Sequence, residues 1–252
     1  MLVKEKVVFV TGAASGIGAE GAIALAREGA NLTVADINAD GVQAVADRIT
    51  AEGGIARAIT LDVDDADHLT AAIDECAAQH GRLDVLHSHP GIQIEGTLEQ
   101  VSVDDMDASW RLNVRSHFVA AKAAMAHMRP ARSGSIIITA SGSGVQYDSE
   151  MIAYATTKHA AVAMTRQIAK DFGRHNVRVN ALCPGFIDTP FNRGFEIQMG
   201  GRDKLEGYIT DEIPMGRFGS VEEMADAIVF LASDRSTFMT GHALVVDGGE
   251  CL

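Results

Sequence analysis

Short apolar runs rich in β-branched residues alternate along the chain with longer, alanine-rich segments of helical period. Within the short runs the apolar positions are continuous rather than alternating, which is typical of parallel strands covered on both faces. The pattern predicts seven strands, at Val7–Thr11, Asn31–Ala35, Ile55–Thr60, Val85–Ser88, Ser135–Thr139, Val177–Leu182 and Ala243–Val246.

The segments between these runs predict six helices. They lie at Gly16–Glu28, Ala39–Glu52, Ala66–His80, Ser102–Met128, Tyr154–Gly173 and Val221–Ala232. Two of them have a serine at or directly before their first residue, with a carboxylate three residues later. The pairs are Ser102 with Asp105 and Ser220 with Glu223. This spacing predicts a capping box at each helix start.

Repeated β-α-β units predict one doubly wound parallel sheet with helices on both faces, a Rossmann-type α/β fold. No linker or charge block divides the chain, so residues 1–252 are expected to form a single domain. The segment Phe186–Gly219 interrupts the alternation of strands and helices, because it is glycine-rich and contains Pro190 and Pro214. It is too long for an ordinary connector, so we expect it to be a functional excursion.

Composition narrows the function more than the fold. Of the 252 residues 47% are hydrophobic and only 5% aromatic, so the core is expected to be aliphatic. A formal net charge of −13 argues against nucleic-acid or anionic membrane partners. No apolar stretch approaches the about 20 residues of a membrane span, and no signal peptide is recognised. Cys76, Cys183 and Cys251 fit free thiols in a reducing compartment, so a soluble cytoplasmic protein is expected.

The first predicted strand runs into a glycine-rich turn, Thr11–Gly18, that opens the first predicted helix. Gly12, Gly16 and Gly18 would let the backbone turn tightly and approach a pyrophosphate, with Ser15 and Ile17 between them. Free N–H groups at the helix start favour the same anion. The spacing is G-x-x-x-G-x-G, and the alternative is a tight βα turn without a ligand.

Asp36 ends the second predicted strand about twenty residues beyond the glycines. A carboxylate there can accept hydrogen bonds from both ribose hydroxyls of an adenosine and repels a 2′-phosphate. Neither Ser15 nor Ile37 is basic, so NAD is expected as the cofactor rather than NADP. The alternative is that Asp36 caps the helix that begins near Ala39.

Asp62 and Val63 follow the third predicted strand and are candidates for an adenine contact. Asp64, Asp65 and Asp67 are expected to form a charged first turn of the next helix, where they suit the helix dipole. Asp62 fits either role equally well.

Tyr154 and Lys158 lie four residues apart, a spacing that places both side chains on one helix face. An ammonium group beside a phenol favours the phenolate and would lower the tyrosine pKa from its usual value of about 10. Such a phenol can act as a general base toward an alcohol. The pair is common by chance, so its meaning depends on the other motifs.

Taken in order, the motifs resemble those of the short-chain dehydrogenase/reductase superfamily over essentially the whole chain. The residues that carry the resemblance are Thr11–Gly18, Asp36, Asp62-Val63, Asn113, Ser141, Tyr154-x-x-x-Lys158, Pro184-Gly185 and Val246-Asp-Gly-Gly249. The resemblance implies a Rossmann-type sheet of about seven strands, a nicotinamide cofactor and usually a homotetramer.

Residue by residue, the resemblance makes Tyr154 the general acid/base. Lys158 would hold the nicotinamide ribose and lower the Tyr154 pKa, and Ser141 would bind the substrate oxygen. Asn113 would anchor a water that links Lys158 to solvent, although a local polar role within its helix is the alternative. The resemblance also assigns cofactor contacts to Gly91, Pro184, Gly185, Ile187 and Thr189. It makes the excursion at about 186–219 a substrate lid that begins at this last segment.

One run departs from the family pattern. Where the family usually has Asn-Asn-Ala-Gly, this chain has Ser88-His-Pro-Gly91. Pro90 removes a backbone donor. His89 with His87 could be a metal ligand pair, a special catalytic group or tolerated variation, and with no carboxylate or cysteine cluster nearby no metal is expected.

Several further residues are candidates for the substrate pocket without a ranking. Ser143 either touches substrate or belongs to a small-residue turn, and Gln146 lies close in sequence to Tyr154. The excursion offers an apolar wall of Phe191, Phe195, Met199 and Tyr208, and the resemblance suggests that Cys251 and Leu252 approach a neighbouring subunit.

The expected function is an NAD(H)-dependent oxidoreductase that interconverts a secondary alcohol and its ketone. Its substrate would be a small alcohol, a polyol or a sugar, with Tyr154 as general acid/base. Two alternatives use the same scaffold: a catalytically silent NAD-binding regulatory or scaffold protein, and a lyase that replaces the nicotinamide site with an anion pocket.

Overall fold

The computed structural model describes all 252 residues and contains one seven-stranded, all-parallel sheet. Its strands are β1 (Val7–Thr11), β2 (Asn31–Asp36), β3 (Ile55–Thr60), β4 (Val85–Ser88), β5 (Gly134–Thr139), β6 (Val177–Pro184) and β7 (Ala243–Val246). The strand order is β3-β2-β1-β4-β5-β6-β7. All seven strands were predicted from the sequence, and the Rossmann-type fold is confirmed.

Nine α-helices accompany the sheet. They are α1 (Gly16–Arg27), α2 (Ala39–Ala51), α3 (Ala66–His80), α4 (Val103–Trp110), α5 (Ser116–Ala131), α6 (Ile152–Phe172), α7 (Arg193–Met199), α8 (Arg202–Glu212) and α9 (Val221–Ala232). One apolar cluster packs α3, α5 and α6 against one face of the sheet. A second cluster packs α1, α2 and α9 against the other face. The aliphatic strands are therefore buried on both sides, as their continuous apolar pattern requires.

The single helix predicted over Ser102–Met128 is wrong in detail, because it is divided by a π-helical turn at Arg111–Arg115. Such a turn widens the helix by one residue and commonly occurs at functional sites. It carries Asn113, whose side chain is fully buried. The predicted capping boxes at Ser102 and Ser220 are both present.

The excursion between β6 and α9 contains two helices, α7 and α8, that the sequence pattern did not predict. Leu205, Ile209 and Ile213 form a small apolar cluster of their own, against which phenylalanines of the same segment pack. The outer face of α8 is polar, so its few buried positions gave too weak a helical period.

No helix combines the length and apolar character needed to cross a bilayer. All three cysteines are free thiols, with Cys76 and Cys183 buried in the core.

The strand order reverses direction between β1 and β4, since β2 and β3 lie beyond β1 while β5 to β7 lie beyond β4. The loops that leave the carboxyl ends of these two strands separate to opposite faces. Such a switch point opens a crevice at the carboxyl edge of a parallel sheet.

Candidate active site

A cavity of about 940 Å³ occupies this edge of the sheet. The loops after β1 to β6 line it, and the excursion with α7 and α8 covers one end. The chemistry-bearing residues singled out in the sequence converge here because parallel strands deliver their carboxyl ends to one edge.

The glycine-rich turn after β1 is built as tightly as its sequence indicates. Gly12 and Gly16 adopt left-handed φ values of 70° and 53°, which favour glycine. A Cβ on Gly18 would lie 2.0 Å from the carbonyl oxygen of Gly12, so only glycine fits there. Ser15 is the N-cap of α1 but its side chain makes no capping hydrogen bond. The first turn of α1 thus keeps backbone donors for an anion.

Asp36 lies beside this turn and lines the cavity. Its Oδ2 accepts a hydrogen bond from the Ala14 N–H at 3.0 Å, and its Oδ1 accepts one from Asn38 N–H at 2.9 Å. The alternative role as a cap of α2 is wrong, because the cap is Asn38, whose side chain accepts from Gly41 N–H.

Asp62 and Val63 line the same end of the cavity. The Asp62 Oδ1 accepts a hydrogen bond from Asp64 N–H at 2.9 Å, whereas the N-cap of α3 is Asp65. Asp62 therefore stabilises the turn before α3 and still presents a carboxylate to the cavity.

Tyr154 and Lys158 lie on one face of α6, as their spacing predicts, and both are buried. The Lys158 Nζ is 5.5 Å from the centroid of the Tyr154 ring. Ser141 follows β5 and lines the cavity with them, and its Oγ accepts a hydrogen bond from Ser143 N–H at 3.2 Å. Phe191 closes the other side of the tyrosine, with ring centroids 6.3 Å apart.

The expected lowering of the Tyr154 pKa is not what the ligand-free chain shows. Burial raises the pKa of Tyr154 to about 12, with the Ser141 hydroxyl acting in the opposite direction and Asp148 adding to the rise. Burial also lowers the pKa of Lys158 to about 8. Desolvation is the largest cause of both shifts, because a buried site disfavours either charge.

Lys158 and Asn113 are held by the main chain around them. The Lys158 Nζ donates to the carbonyl oxygen of Thr139 at 3.2 Å. The Asn113 side chain accepts from Ile92 N–H at 2.8 Å and donates to the Ile92 carbonyl at 2.9 Å. A Cβ on Gly91 would lie 3.1 Å from Asn113 Oδ1 and 3.2 Å from Lys158 Nζ, so this glycine lets the two approach.

The two histidines of the divergent run share one partner. His87 Nε2 and His89 Nδ1 lie 3.0 Å and 2.9 Å from the Thr139 hydroxyl. Burial, followed by the nearby Lys158, lowers the pKa of His89 to about 3. The imidazole is therefore neutral near pH 7 and acts as a hydrogen-bonding group that packs under the glycine turn, with its Cδ2 3.3 Å from a Cβ placed on Gly12.

The loop after β6 closes the cavity from the other side. Gly185 N–H donates to the Val246 carbonyl at 3.1 Å, and a Cβ on Gly185 would lie 2.7 Å from that of Asp247. Farther along, the Thr189 side chain would be 3.4 Å from a Cβ on Gly16. The start of the excursion thus reaches across to the glycine turn.

Most of the predicted site residues line the cavity. They are Gly12, Ser15, Gly16, Ile17, Asp36, Asp62, Val63, Gly91, Ser141, Tyr154, Lys158, Pro184, Gly185, Ile187 and Thr189. Gly18 and Asn113 do not, since the first lies beneath the turn and the second is buried behind Gly91. Among the unranked candidates Ser143, Phe191, Phe195, Met199 and Tyr208 line the cavity, whereas Gln146, Cys251 and Leu252 do not.

Sequence reasoning missed three carboxylates in the cavity, Asp148, Glu150 and Glu250. Asp148 stands between Ser141 and Tyr154, and Glu250 directly follows the terminal Asp-Gly-Gly run, so proximity to known motifs was the available signal. Burial, then Asp148 and Asp247, raise the pKa of Glu250 to about 7.

This fold and its crevice define a Rossmann-type α/β protein with a cavity at the switch point. The family described as enoyl-(acyl carrier protein) reductase matches residues 12–250. The trans-4-hydroxycyclohexanecarboxylate dehydrogenase of Sinomonas cyclohexanicum is 38% identical over 98% of this chain and 93% of its own. The D-threitol dehydrogenase of Mycolicibacterium smegmatis is 36% identical over 97% and 92%.

A solved structure agrees with these relatives. The putative NAD(P)-dependent gluconate 5-dehydrogenase of Beutenbergia cavernae, described with NADP bound at low occupancy, superposes with a TM-score of 0.93 at 34% identity. The match covers 99% of this chain and 98% of the other. The chain belongs to the short-chain dehydrogenase/reductase superfamily, and it is an oxidoreductase that acts on CH–OH groups.

Proposed function

We propose that the protein is an NAD(H)-dependent enzyme that interconverts a secondary alcohol and its ketone, with Tyr154 as general acid/base. The observation that carries the proposal is the convergence of Ser141, Tyr154 and Lys158 on one cavity that also holds the glycine turn and Asp36. A bound nicotinamide would supply the hydride acceptor or donor.

Ser141, Tyr154 and Lys158 each have a separate role in binding the substrate and moving the proton. In this proposal the Ser141 hydroxyl binds the substrate oxygen and orients it toward the Tyr154 phenol. With its raised pKa, Tyr154 is protonated in the ligand-free protein and is ready to donate a proton to a ketone oxygen. In the oxidative direction the phenol first releases its proton toward solvent through the proposed water relay at Asn113 and Lys158. The resulting phenolate, stabilised by the nearby Lys158, then accepts the alcohol proton.

Asn113 supports this arrangement from behind. Its amide pairs with both main-chain groups of Ile92 and donates to the Thr157 hydroxyl at 3.0 Å. Of the two roles considered for Asn113, a local polar role and a water relay, these hydrogen bonds favour the local one. A water relay from Lys158 to solvent remains part of the proposal, because the π-helical turn carries Asn113 close to Lys158.

The preference for NAD over NADP rests on charge. At the end of the cavity beside Asp36 the other ionisable groups are Asp62 and Asp64, and no arginine or lysine lines it. Arg111 and Arg115 lie nearby but both bind Asp64. A 2′-phosphate would therefore meet carboxylates without a cation to pair with. Because a structural neighbour is described with NADP, the two cofactors need a direct comparison.

The substrate is proposed to be a small secondary alcohol, polyol or sugar. One relative is named as a dehydrogenase of trans-4-hydroxycyclohexanecarboxylate and another as a dehydrogenase of D-threitol. Both names support this range. The excursion over residues 186–219 is proposed as the lid, since Phe191, Phe195, Met199 and Tyr208 contribute its wall of the cavity.

We further propose a cytoplasmic homotetramer whose partners are small molecules. Family resemblance motivates this, and Trp110 and Phe118 leave 45% and 54% of their surface exposed on neighbouring elements, an apolar area that another copy could cover. Light scattering on the purified protein measures the mass, and a monomer would contradict the assembly.

The decisive experiment is a panel of secondary alcohols and ketones assayed with NAD(H) and NADP(H) in parallel, with Tyr154→Phe beside the wild type. Turnover with NAD that the variant loses is the expected result. A chain that binds NADH yet turns over nothing would match the silent alternative. A chain that fails to bind NADH would match the lyase, and equal turnover by Tyr154→Phe would contradict the mechanism.

A further inference from the structure

Three carboxylates that the reaction itself does not use line the cavity, Asp148, Glu150 and Glu250. Glu150 is exposed and accepts a hydrogen bond from Gln198 Nε2, whereas Asp148 and Glu250 are half-buried. Glu250 follows the turn after β7, and Asp148 lies in the loop that leads into α6. Both line the cavity together with Ser141 and Tyr154. About a hundred residues separate them in the sequence, so tertiary folding alone brings them to the same cavity.

Glu250 lies against the loops that follow β5 and β6. Its Oε2 lies 2.9 Å from a Cβ built on Gly185 and 3.9 Å from one built on Gly142, the residue after Ser141. The neighbouring N–H groups of Gly249 and Cys251 donate to Asp247 rather than to Glu250. The Glu250 carboxylate is thus left without a donor from the protein, half-buried in the cavity.

Asp148 is held in a fixed position. Its Oδ2 accepts a hydrogen bond from the Ser143 hydroxyl at 2.5 Å, and its Oδ1 accepts one from Gln146 Nε2 at 3.2 Å. A carboxylate has about four acceptor positions, so each oxygen keeps one free for a ligand. The serine and glutamine orient the group without neutralising its charge.

No arginine lines the cavity, and Lys158 is its one lysine. The Lys158 ammonium group donates to the Thr139 carbonyl at 3.2 Å and makes no ion pair with Glu250 or Asp148. The part of the cavity lined by Glu250, Asp148 and Tyr208 therefore has hydrogen-bond acceptors and negative charge without a balancing cation.

We propose that Glu250 and Asp148 determine substrate specificity by binding a donor group of the substrate. The substrate is a secondary alcohol with an ammonium or hydroxyl group remote from the reacting carbon, and a carboxylate at that place is rejected. This inference rests on the proposed function and names the substrate class of that same site.

The physical reason is desolvation. A half-buried carboxylate without a donor is costly, and a substrate donor removes that cost, most of all if it is charged. An anionic substituent would instead meet two like charges in a half-buried site. The inference therefore separates this chain from the Sinomonas relative, whose name states a carboxylate substrate.

The test uses three cyclohexanols that differ only in the trans-4 substituent, which is amino, methyl or carboxylate. Binding is measured by calorimetry with Tyr154→Phe and the oxidised cofactor, so that turnover does not obscure it, and with the wild type if that oxidises none of the compounds. The wild-type kcat/KM is measured in parallel. The expected order is amino, then methyl, then carboxylate, with about tenfold or more between the first and last. Equal binding of the three, preference for the carboxylate, or no binding of the amino compound overturns the inference.

Glu250→Gln keeps the shape of the side chain and removes its charge, so the preference for amino over carboxylate should shrink severalfold. Asp148→Asn serves as a second variant should the first fail to fold. Glu212→Gln is the matched control, because it removes the same charge from an exposed position on α8 outside the cavity and should leave the preference unchanged.

Two further outcomes separate the inference from the proposed function. If the wild type binds the three compounds in the expected order but oxidises none, the specificity stands and the proposed reaction fails. If Glu250→Gln and Asp148→Asn both fold and keep the wild-type order, or alter only cofactor affinity, the specificity role is overturned while the reaction stands.

Discussion

The ammonium group of Lys158 donates a hydrogen bond to the main-chain carbonyl of Thr139 at 3.2 Å. The hydroxyl of the same threonine pairs with His87 and His89. Thr139 therefore connects the lysine of the Tyr-x-x-x-Lys motif to the run that departs from the family pattern. Because both histidines are neutral, this connection orients Lys158 without adding a competing cation.

Removing the Tyr154 hydroxyl should stop proton transfer while cofactor binding and folding are retained. Tyr154→Phe is expected to lower kcat by about 10²–10⁴-fold, the usual contribution of a positioned acid/base. NADH binding, followed by cofactor fluorescence, and the melting temperature should stay close to wild type, since the ring still packs against Met151 and Ala155. Loss of NADH binding together with activity would mean that Tyr154 acts mainly in structure.

The raised pKa of Tyr154 can be measured directly in the ligand-free protein. Ultraviolet difference titration against Tyr154→Phe isolates its phenolate signal from those of Tyr147 and Tyr208. Because burial favours the neutral phenol, the pKa of Tyr154 should be about 12, so the signal should be missing until the solution is strongly alkaline. A phenolate signal near pH 7 without cofactor would support the sequence expectation that Lys158 alone lowers this pKa.

Cofactor choice should follow the charge beside the glycine turn. The double variant Asp36→Ser, Ile37→Arg replaces the repelling carboxylate and adds a cation, so the ratio of kcat/KM for NADP to that for NAD should rise at least about tenfold. Asp40→Ser is the matched control, since Asp40 is exposed in the first turn of α2 and does not line the cavity. A wild type that prefers NADP would contradict the interpretation of Asp36.

The tight glycine turn should tolerate no side chain at its third glycine. Gly18→Ala would bring a Cβ against the Gly12 carbonyl, so we expect a loss of about 1–3 kcal/mol in unfolding free energy and weakened cofactor binding. Gly207→Ala lies in α8 with open space around it and should be neutral or stabilise by up to about 1 kcal/mol. Denaturant unfolding of the two variants measures both values. Equal effects would contradict the packing argument.

Substrate preference should depend on pH through Glu250, whose pKa is raised to about 7. Raising the pH ionises the carboxylate, so the ratio of kcat/KM for the amino to the methyl cyclohexanol should increase from about pH 6 to about pH 8. The titratable groups that face Glu250 are Asp148, Asp247, Cys251 and Tyr208. Glu250→Gln should flatten the profile, and a steep profile in that variant would assign the titration to another group.

Local patterns predicted most of the architecture, because their causes are local. Continuous apolar runs identified all seven strands, and the serine–carboxylate spacings identified the two capping boxes. The pattern failed where distant packing decides structure. The π-helical turn around Asn113 and the two helices of the excursion depend on contacts that no window of sequence contains.

The candidate site shows the same division. The sequence by itself determined the glycine turn, the position of Asp36 and the single helix face shared by Tyr154 and Lys158, since each depends on spacing within one segment. Only the tertiary structure decided the charge state of that pair, because burial is a property of the whole fold. It also placed Glu250 beside Ser141, more than a hundred residues away, because parallel strands bring their carboxyl ends to one edge of the sheet.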